Sequence, residues 1–465
     1  MSLSQQIGTN VRLDVARALS QIIRHQRTTE WIRIHRPQWL QTPLHSELLY
    51  GTLRHYLSLE AGVHAKLNRP LKAKDMDIHH LMLVGTYQLK YTSIAEHAAI
   101  NECVSACQKL GKPWAKGLVN AVLRQEQRDA ATDGAAVPSA STAADHPAWL
   151  RDMFTAQYPE LANELMQANG ERAPMSLRIN ACVINYDIYK KQLSSAGIAY
   201  QDGPWPEAVI LDEPKSAVDL PGWEQGTCAV QDLGAQQAAH VLFTQLTAQR
   251  SRTSPMHILD ACAAPGGKLF HLREMLIEKA VPHRLWAMDV KEVRLQELAL
   301  VGERLGHSTR YDIDNADPDS ITLICADGSK STLMFEQLFD TVLIDAPCTG
   351  SGTIRRNPEI RLLLKPSSVL EQQSQQLQLI QNLWQHVRPG GTLLYSTCSV
   401  FAEENDQVIH HFLRENTDAT VATPTLELGF ATAVGWQLLP TNRLTDGLYY
   451  SVLQKFDDID EATTQ

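Results

Sequence analysis

The sequence predicts a doubly wound α/β domain with a mostly parallel sheet, preceded by an all-α domain and a small α+β segment. Three observations carry this. From about residue 236 short apolar runs alternate with helical stretches: MHILD, HLREMLIE, RLWAMDV, LQELALVGERLG, ITLICAD, FDTVLIDAPC, the stretch from Ser368 to Val387, TLLYSTCSV and EENDQVIHHFLREN. Such alternation builds a parallel sheet wrapped on both faces by helices. Residues 5–128 instead repeat apolar positions at helical spacing, and at 465 residues the chain exceeds the size at which one core keeps growing.

Taken in order, the front (5–128) shows the helical period in VRLDVARALSQIIRH, HSELLYGTLRHYLSLEAGVHAKL, DIHHLMLVGTYQLKYT and AAINECVSACQKLG. Pro37, Pro43, Pro70 and Pro113 fall between these stretches, where proline starts or ends a helix without breaking one. Cys103 and Cys107, four apart, read as small core residues. Residues 129–145, DAATDGAAVPSASTAAD, have the composition of a linker. Residues 146–235 read as a small α+β domain, with strands in SLRINACVIN and AVILDEP flanking the helix YDIYKKQLSSAG. The alternation of strands and helices fills 236–456, and the polar tail 457–465 is expected to be disordered.

Hydrophobic content of 44% and charged content of 20% are those of a globular protein. No stretch approaches the apolar length of a membrane span, and the amino terminus lacks a signal-peptide block. Eight cysteines without close CxxC or Cys/His spacing predict a reducing, cytoplasmic setting and no structural metal. The net charge of −10 conceals an asymmetry: residues 1–128 hold 17 Lys+Arg against 9 Asp+Glu, and the remainder 25 against 43. Phosphate-backbone affinity follows the local field, so the front is the candidate nucleic-acid handle.

The chemistry gathers at strand ends, where ligands sit in sheets of this class. Asp260-Ala-Cys262-Ala263-Ala264-Pro265-Gly266-Gly267-Lys268 follows the first strand and opens a helix, so its glycines admit a ligand at the positive helix end. Asp289 ends the next strand 22 residues beyond Gly267, where an acid accepts from ribose hydroxyls. Ala326-Asp327-Gly328 ends a third and offers a carboxylate to an adenine amino group. Three acid-tipped strands describe an adenosine-bearing cofactor without a diphosphate, S-adenosylmethionine rather than NAD. Singly, each acid also suits helix capping. Two thiols, Cys348 in Asp345-Ala-Pro-Cys348 and Cys398 in Ser396-Thr-Cys398-Ser399, follow apolar strands of the same pattern and are aimed at one cleft. Paired thiols beside a bound nucleotide suit attack on an electron-poor pyrimidine ring. Neither has an adjacent Lys or His, so the residues leave open which one attacks.

Through DACAAPGGK, DAPCTGSGTIRRNPEIR and YSTCSV, in that order, the chain resembles the NOL1/NOP2/Sun family of RNA cytosine-5 methyltransferases. LMLVGTYQLKYT, HAAINE and KGLVNAVLR in the front resemble the NusB-like domain that precedes the catalytic part in bacterial members acting on small-subunit ribosomal RNA. HPAWL, LRIN and VQDLGAQ continue the likeness, which thus covers nearly the whole chain. The sequence departs from those members at Cys348-Thr-Gly-Ser-Gly352, where Cys-Ser-Ala-Thr-Gly is usual. The resemblance implies that Cys262 to Lys268 form the cofactor loop and that Asp289, Asp327 and Asp345 line the cofactor or base pocket. It implies Cys398 as nucleophile, Cys348 as the thiol that helps release the product, naked 16S ribosomal RNA as substrate and a monomer.

Carbon 5 of cytosine is too weak a nucleophile to take a methyl group directly, so a thiolate must first add to carbon 6. Asp345 is expected to hydrogen-bond the base edge. Arg355, Arg356 and Arg361, with Asn357 and Lys365, follow Cys348 and are expected to meet RNA; Arg178 and Asn180 in the small domain read equally as RNA contacts and as structural residues. Competing readings are a sister enzyme acting on tRNA or another ribosomal cytosine, and a non-enzymatic RNA-binding assembly factor that keeps the cofactor fold as scaffold.

Overall fold

The computed structural model describes residues 3–132, 142–248, 254–311, 319–330, 335 and 337–456. The expected tail 457–465 and most of the expected linker lie outside the described residues. The chain packs as two units, one of Met1–Arg172 with Thr353–Leu364, the other of Ala173–Gly352 with Lys365–Gln465.

The first unit is helical. Met76–Tyr91 is its central helix, buried at every position from Ile78 to Gln88, and it packs against Leu3–His25, Pro43–Arg54, Glu96–Lys109 and Lys116–Thr132. A helix buried on all faces needs an apolar surround, which Leu19, Leu49, Cys103, Cys107 and Leu123 help to supply. Pro37, Pro43 and Pro113 each open a helical segment, as their lack of an N–H allows. Lys116–Thr132 runs past residue 129, and Thr142–Asp145 forms a 3₁₀ turn, so both described ends of the expected linker are structured. Asp145 is buried and accepts from the Ser58 amide at 3.0 Å and bonds the His55 ring at 3.2 Å. The helices Ala148–Gln157 and Ala162–Gly170 group with this unit by their contacts.

Thr353–Leu364 also belongs here, which overturns part of the expected RNA surface. Leu362 and Leu363 pack on the helical core. The Glu359 carboxylate accepts from the Thr29 amide at 2.9 Å and hydroxyl at 2.6 Å. Arg361 is 0% exposed and donates to the carbonyls of Asp145 at 3.3 Å and Asn169 at 3.2 Å; Arg355 is 2% exposed. Asn169 lies in the last turn of its helix, where carbonyls lack intrahelical partners and attract a cation. Arg355 and Arg361 are therefore corrected from RNA contacts to interior residues. Arg356 and Asn357 keep part of their surface, and Lys365 is exposed.

The second unit contains two sheets. The smaller, antiparallel one comprises β1 (Met175–Ile179), β2 (Tyr200–Asp202), β3 (Ala208–Leu211) and β4 (Cys228–Val230) in the order β2-β3-β1-β4. The larger begins with β5 (Met256–Asp260), β6 (His283–Asp289), β7 (Ser308–Arg310), β8 (Ser320–Cys325), β9 (Phe339–Asp345) and β10 (Val387–Thr397). These run parallel in the order β10-β9-β5-β6-β8-β7. Because β5 has β6 on one side and β9 on the other, the order reverses there, and a crevice opens at the carboxyl ends. The sequence reading did not anticipate an antiparallel wing: β11 (Ala419–Val421), β12 (Phe430–Ala431), β13 (Trp436–Leu438) and β14 (Leu448–Lys455), with β14 paired to β10. Short strands among polar turns give little period-2 signal, which is why the alternating pattern does not reveal them.

Every residue of β1 is buried, Arg178 included at 0% exposure. Its guanidinium grips the helix Gly267–Glu278 twice. Nε and Nη2 meet the two oxygens of Glu274 at 2.9 and 2.7 Å, and Nη1 donates to the Gly267 carbonyl at 2.9 Å and to Gln231. Asn180 donates to the carbonyls of Gly226 and Leu305, both at 3.0 Å. For both residues the structural duty is the one found and the RNA contact falls away; period and charge could not choose between the two, because they do not reveal an acid brought in from a distant helix. Removing one partner of a buried ion pair costs about 3–5 kcal/mol. Arg178→Ala is therefore expected to lower the stability of the second unit by that amount, while RNA affinity of the folded variant stays at the native value. Chemical denaturation beside a filter-binding assay checks both, and a selective loss of RNA affinity would restore Arg178 to the interface.

Candidate functional site

The crevice is lined by the loops at the carboxyl ends of the parallel strands. After β5, the Ala261 amide donates to the Leu343 carbonyl at 2.8 Å and the Ala263 amide to that of Met288 at 2.9 Å, so the loop is pinned to both neighbouring strands. Gly266 then turns at φ +99°, and a Cβ there would lie 2.3 Å from the Phe270 ring. Glycine is required for both reasons. The next residue begins the helix Gly267–Glu278, and Arg178 braces its first carbonyl from below. Ala263, Ala264 and Gly266 are buried, Cys262, Gly267 and Lys268 half-buried, and Pro265 is exposed.

The acids share a local habit. Asp260, Asp289 and Asp327 each use one oxygen to accept from the amide two residues on, at Cys262 (3.3 Å), Lys291 (3.2 Å) and Ser329 (3.0 Å). These bonds turn the loops locally and are not helix caps: the helices that follow Asp260 and Asp289 start at Gly267 and Glu292 with no side-chain cap bond. Asp289 also meets Arg294 at 3.2 Å. Asp327, one strand further out, is held below the ordinary carboxylate range by its bonds from Ser329, whose hydroxyl is at 2.6 Å. Asp260 is instead pushed up to about 7, by burial and then by the neighbouring Asp345. Burial, then the charges of Asp260, Asp345 and Asp289, pushes the Cys262 thiol well up and keeps it protonated.

Lys268 is the cation set among these acids. Its Nζ donates to Asp345 at 2.6 Å, and Asp345 accepts at its other oxygen from the Ser396 hydroxyl at 2.9 Å. Burial works against the ammonium, yet the Lys268 pKa is raised, because Asp345, then Cys398 and Asp260, outweigh it. With Asp260, Asp289 and Asp345 against Lys268 and Arg294, the strand ends favour a cationic ligand when Asp260 is ionised.

β9 and β10 pair in parallel with Asp345 opposite Ser396, so the loops after them leave the sheet at one level. The Ala346 amide donates to the Ser396 carbonyl at 2.8 Å and the Gly352 amide to that of Cys398 at 2.9 Å. The two thiols consequently meet, Sγ to Sγ, at 3.3 Å, and both are half-buried. The bond to Cys398, then burial, then the charge of Glu404 push the Cys348 thiol well above the usual range. The sequence could not reveal the influence of Glu404, which lies far from Cys348 along the chain. The structure thus brings together Asp260, Cys262, Lys268, Asp289, Asp345, Cys348 and Cys398. Glu404 and the pairing of Lys268 with Asp345 were missed by sequence reasoning.

Three family models match in tandem: the NusB family over residues 9–128, a ferredoxin-like domain of RsmF/B-like methyltransferases over 146–218, and the 16S rRNA methyltransferase RsmB/F family over 247–454. The probable ribosomal RNA small subunit methyltransferase B of Coxiella burnetii is 36% identical, covering 88% of this chain and 91% of its own. The ribosomal RNA small subunit methyltransferase B of Escherichia coli O157:H7 is also 36% identical, over 88% of this chain and 89% of its own. Among solved structures, PH0851 aligns with a TM-score of 0.76 at 21% identity, covering 98% of this chain and 100% of that one. NSun6 from Pyrococcus horikoshii aligns at 0.57 and 20%, covering 67% and 99%. These two similarities bear on the fold. With the identity to the bacterial enzymes extending over most of both chains, the protein belongs to the family of RsmB/F 16S ribosomal RNA methyltransferases.

Proposed function

We propose that this chain transfers the methyl group of S-adenosylmethionine to carbon 5 of one cytosine in 16S ribosomal RNA, through a transient bond between Cys398 and carbon 6 of the base. The observation that carries the proposal is the pair of thiols 3.3 Å apart at the carboxyl ends of the parallel strands. A methyltransferase of nitrogen or oxygen atoms has no use for two such thiols.

Bound S-adenosylmethionine supplies an electrophilic methyl group on a positively charged sulfur, a charge the surrounding acids favour. Its cradle is the loop Cys262–Lys268, with Asp289 for the ribose hydroxyls and Asp327 for the adenine. Cys398, as thiolate, adds to carbon 6, and the displaced π pair makes carbon 5 nucleophilic. Asp345, its carboxylate paired with Lys268, accepts from the amino edge of the base. Once carbon 5 carries the methyl group, a base takes its proton, the C–H pair re-forms the double bond and Cys398 leaves as thiolate. Cys348, protonated beside it, assists that release. The target cytosine leaves its stack to reach the crevice, which is cheapest in a loop of RNA. The basic helical front and Arg356 are assigned to hold the RNA.

The test is transfer of labelled methyl from S-adenosylmethionine to unmodified 16S ribosomal RNA and to tRNA, with product nucleosides identified. Label in 5-methylcytosine at one 16S position is expected; label in tRNA alone would move the substrate, and none in either would favour an assembly factor. Cys398→Ala is expected to abolish adduct formation and cut turnover by about 10⁴-fold or more, as loss of a covalent nucleophile does. Cys348→Ala is expected to leave a covalent protein–RNA complex on denaturing gels, and a stalled complex from Cys398→Ala instead would reverse the two roles.

Asp260 generates a pH dependence. Its carboxyl is neutral below about pH 7 and charged above. Because its folded pKa exceeds the ordinary value, the associated stability is full below that ordinary value and lost as pH rises through about 7. A bound cation favours the charged form, so affinity for S-adenosylmethionine is expected to climb from about pH 6 to about pH 8, by up to about tenfold per unit below the midpoint. Calorimetric titrations across that range check it, and an Asp260→Asn variant that climbs equally would assign the effect elsewhere.

A further inference from the structure

Glu404 lies beyond the end of β10 and is 0% exposed. Its carboxylate accepts from the Thr349 amide at 2.8 Å, the Thr349 hydroxyl at 2.5 Å, the Ser399 hydroxyl at 2.5 Å and the Gln376 amide at 3.1 Å. Thr349 is the residue after Cys348, and Ser399 is the residue after Cys398. One side chain therefore holds the chain just beyond each thiol. Gln376 extends the grip by donating to the carbonyl of Pro347, the residue before Cys348, at 2.8 Å. Ser351 joins the loops again: its hydroxyl lies 3.0 Å from that of Ser399 and accepts from the Val400 amide at 3.0 Å.

A carboxylate suits this position because its two oxygens offer about four acceptor sites, enough for donors from two loops at once. These four donors are neutral amides and hydroxyls, so the charge is buried without a cation among them. Burial raises the Glu404 pKa, against the bonds from Ser399, Thr349 and Gln376. A buried charge is costly, and joining two loops does not by itself require one, since an amide of the same shape bonds the same groups. The charge acts on Cys348.

We propose that Glu404 is the positioning residue of the thiol pair: by bonding the residues just after Cys348 and Cys398 it fixes the distance between the two sulfurs at which attack by one and release by the other succeed each other. The proposal rests on the two-thiol chemistry above, but its geometric half is testable without RNA or cofactor. Phenylarsine oxide bridges two thiols only when they lie close together, and is titrated into the full-length protein with Cys348→Ser as the blank. Native protein is expected to capture one equivalent through Cys348 and Cys398, identified by mass spectrometry. Glu404→Ala is expected to weaken capture at least about tenfold and to lower kcat for methyl transfer about 10²-fold, the cost of misplacing a reacting group by about 1 Å, with affinity for S-adenosylmethionine unchanged. Glu404→Gln, whose carbonyl accepts from the Thr349 amide and whose amide donates to the two hydroxyls, is expected to keep both within about tenfold of native. Glu404→Asp, one methylene too short to span the loops, is expected to behave as Ala and stands in for it if the Ala variant does not fold. Native-like capture by both Ala and Asp would overturn the proposal whatever happens to kcat, as would absence of capture in the native protein. Native capture lost in the variants, with no methyl transfer to RNA by the native enzyme, would sustain the positioning role and sink the reaction assigned to the pair.

Discussion

The parallel pairing of β9 with β10 is the constraint on which the site depends. With Asp345 opposite Ser396, the backbone ladder brings two chain segments 51 residues apart to the same level of the sheet. A slip of one residue would turn every side chain on β10 to the other face. It would separate Ser396 from the Asp345 carboxylate, free the Ala346 amide from the Ser396 carbonyl, and move Cys398 away from Cys348. The burial that prevents the slip is substantial: Val342, Ile344, Leu393 and Tyr395 lie in one apolar cluster, Leu343 and Leu394 in the other. The chemistry of the strand ends is therefore fixed by side chains that never touch a ligand. β14, paired antiparallel on the far side of β10, removes that strand from the edge and gives its register a second ladder.

Electrostatics at the strand ends comes from the same arrangement. Parallel strands that each finish in an acid crowd carboxylates together, and Asp260 answers by holding its proton to about pH 7. Lys268 relieves part of the crowding, and its place at the start of a helix behind Gly266 directs it toward Asp345. The lysine donates to the Asp345 carboxylate and holds its own charge there despite burial. Cys348 feels an acid, Glu404, supplied by the loop after β10.

The parallel half of the fold was legible because each of its strands is an apolar run ended by a polar, glycine-bearing motif, and the helical front because its period extends over long stretches. The antiparallel wing was not, since β12 spans Phe430–Ala431 and β13 Trp436–Leu438, too short to show alternation. Among the residues that line the crevice, the loop Cys262–Lys268, Asp289, Asp345 and both thiols could be picked out because they stand in dense local motifs. Lys268 could be named but not its partner, and Glu404 not at all: in Ala402-Glu403-Glu404-Asn405, ahead of an amphipathic helix, it reads as an acid at a solvated helix start. Partners from distant segments are what a single sequence withholds.

The arginines show the same limit from the other side. Arg178, Arg355 and Arg361 lie in polar strings beside functional motifs, the setting in which surface cations for RNA are expected, and all three are interior. For Arg178 the reason is geometric. Its strand, β1, is buried along its whole length, and the helix that carries the cofactor loop presents Glu274 to it. A planar guanidinium meets both oxygens of that acid and still has a donor for the Gly267 carbonyl, which a lysine could not match. The first turn of that helix is where a ligand must approach the backbone closely, so its position has to be held from the side the ligand does not occupy. The small antiparallel sheet supplies that support: β1 delivers Arg178, and the chain just beyond β4 delivers Gln231 to the same guanidinium. Within this unit the auxiliary sheet therefore acts on the cofactor loop directly, and any role it has toward RNA must come from side chains other than the arginine its sequence advertises.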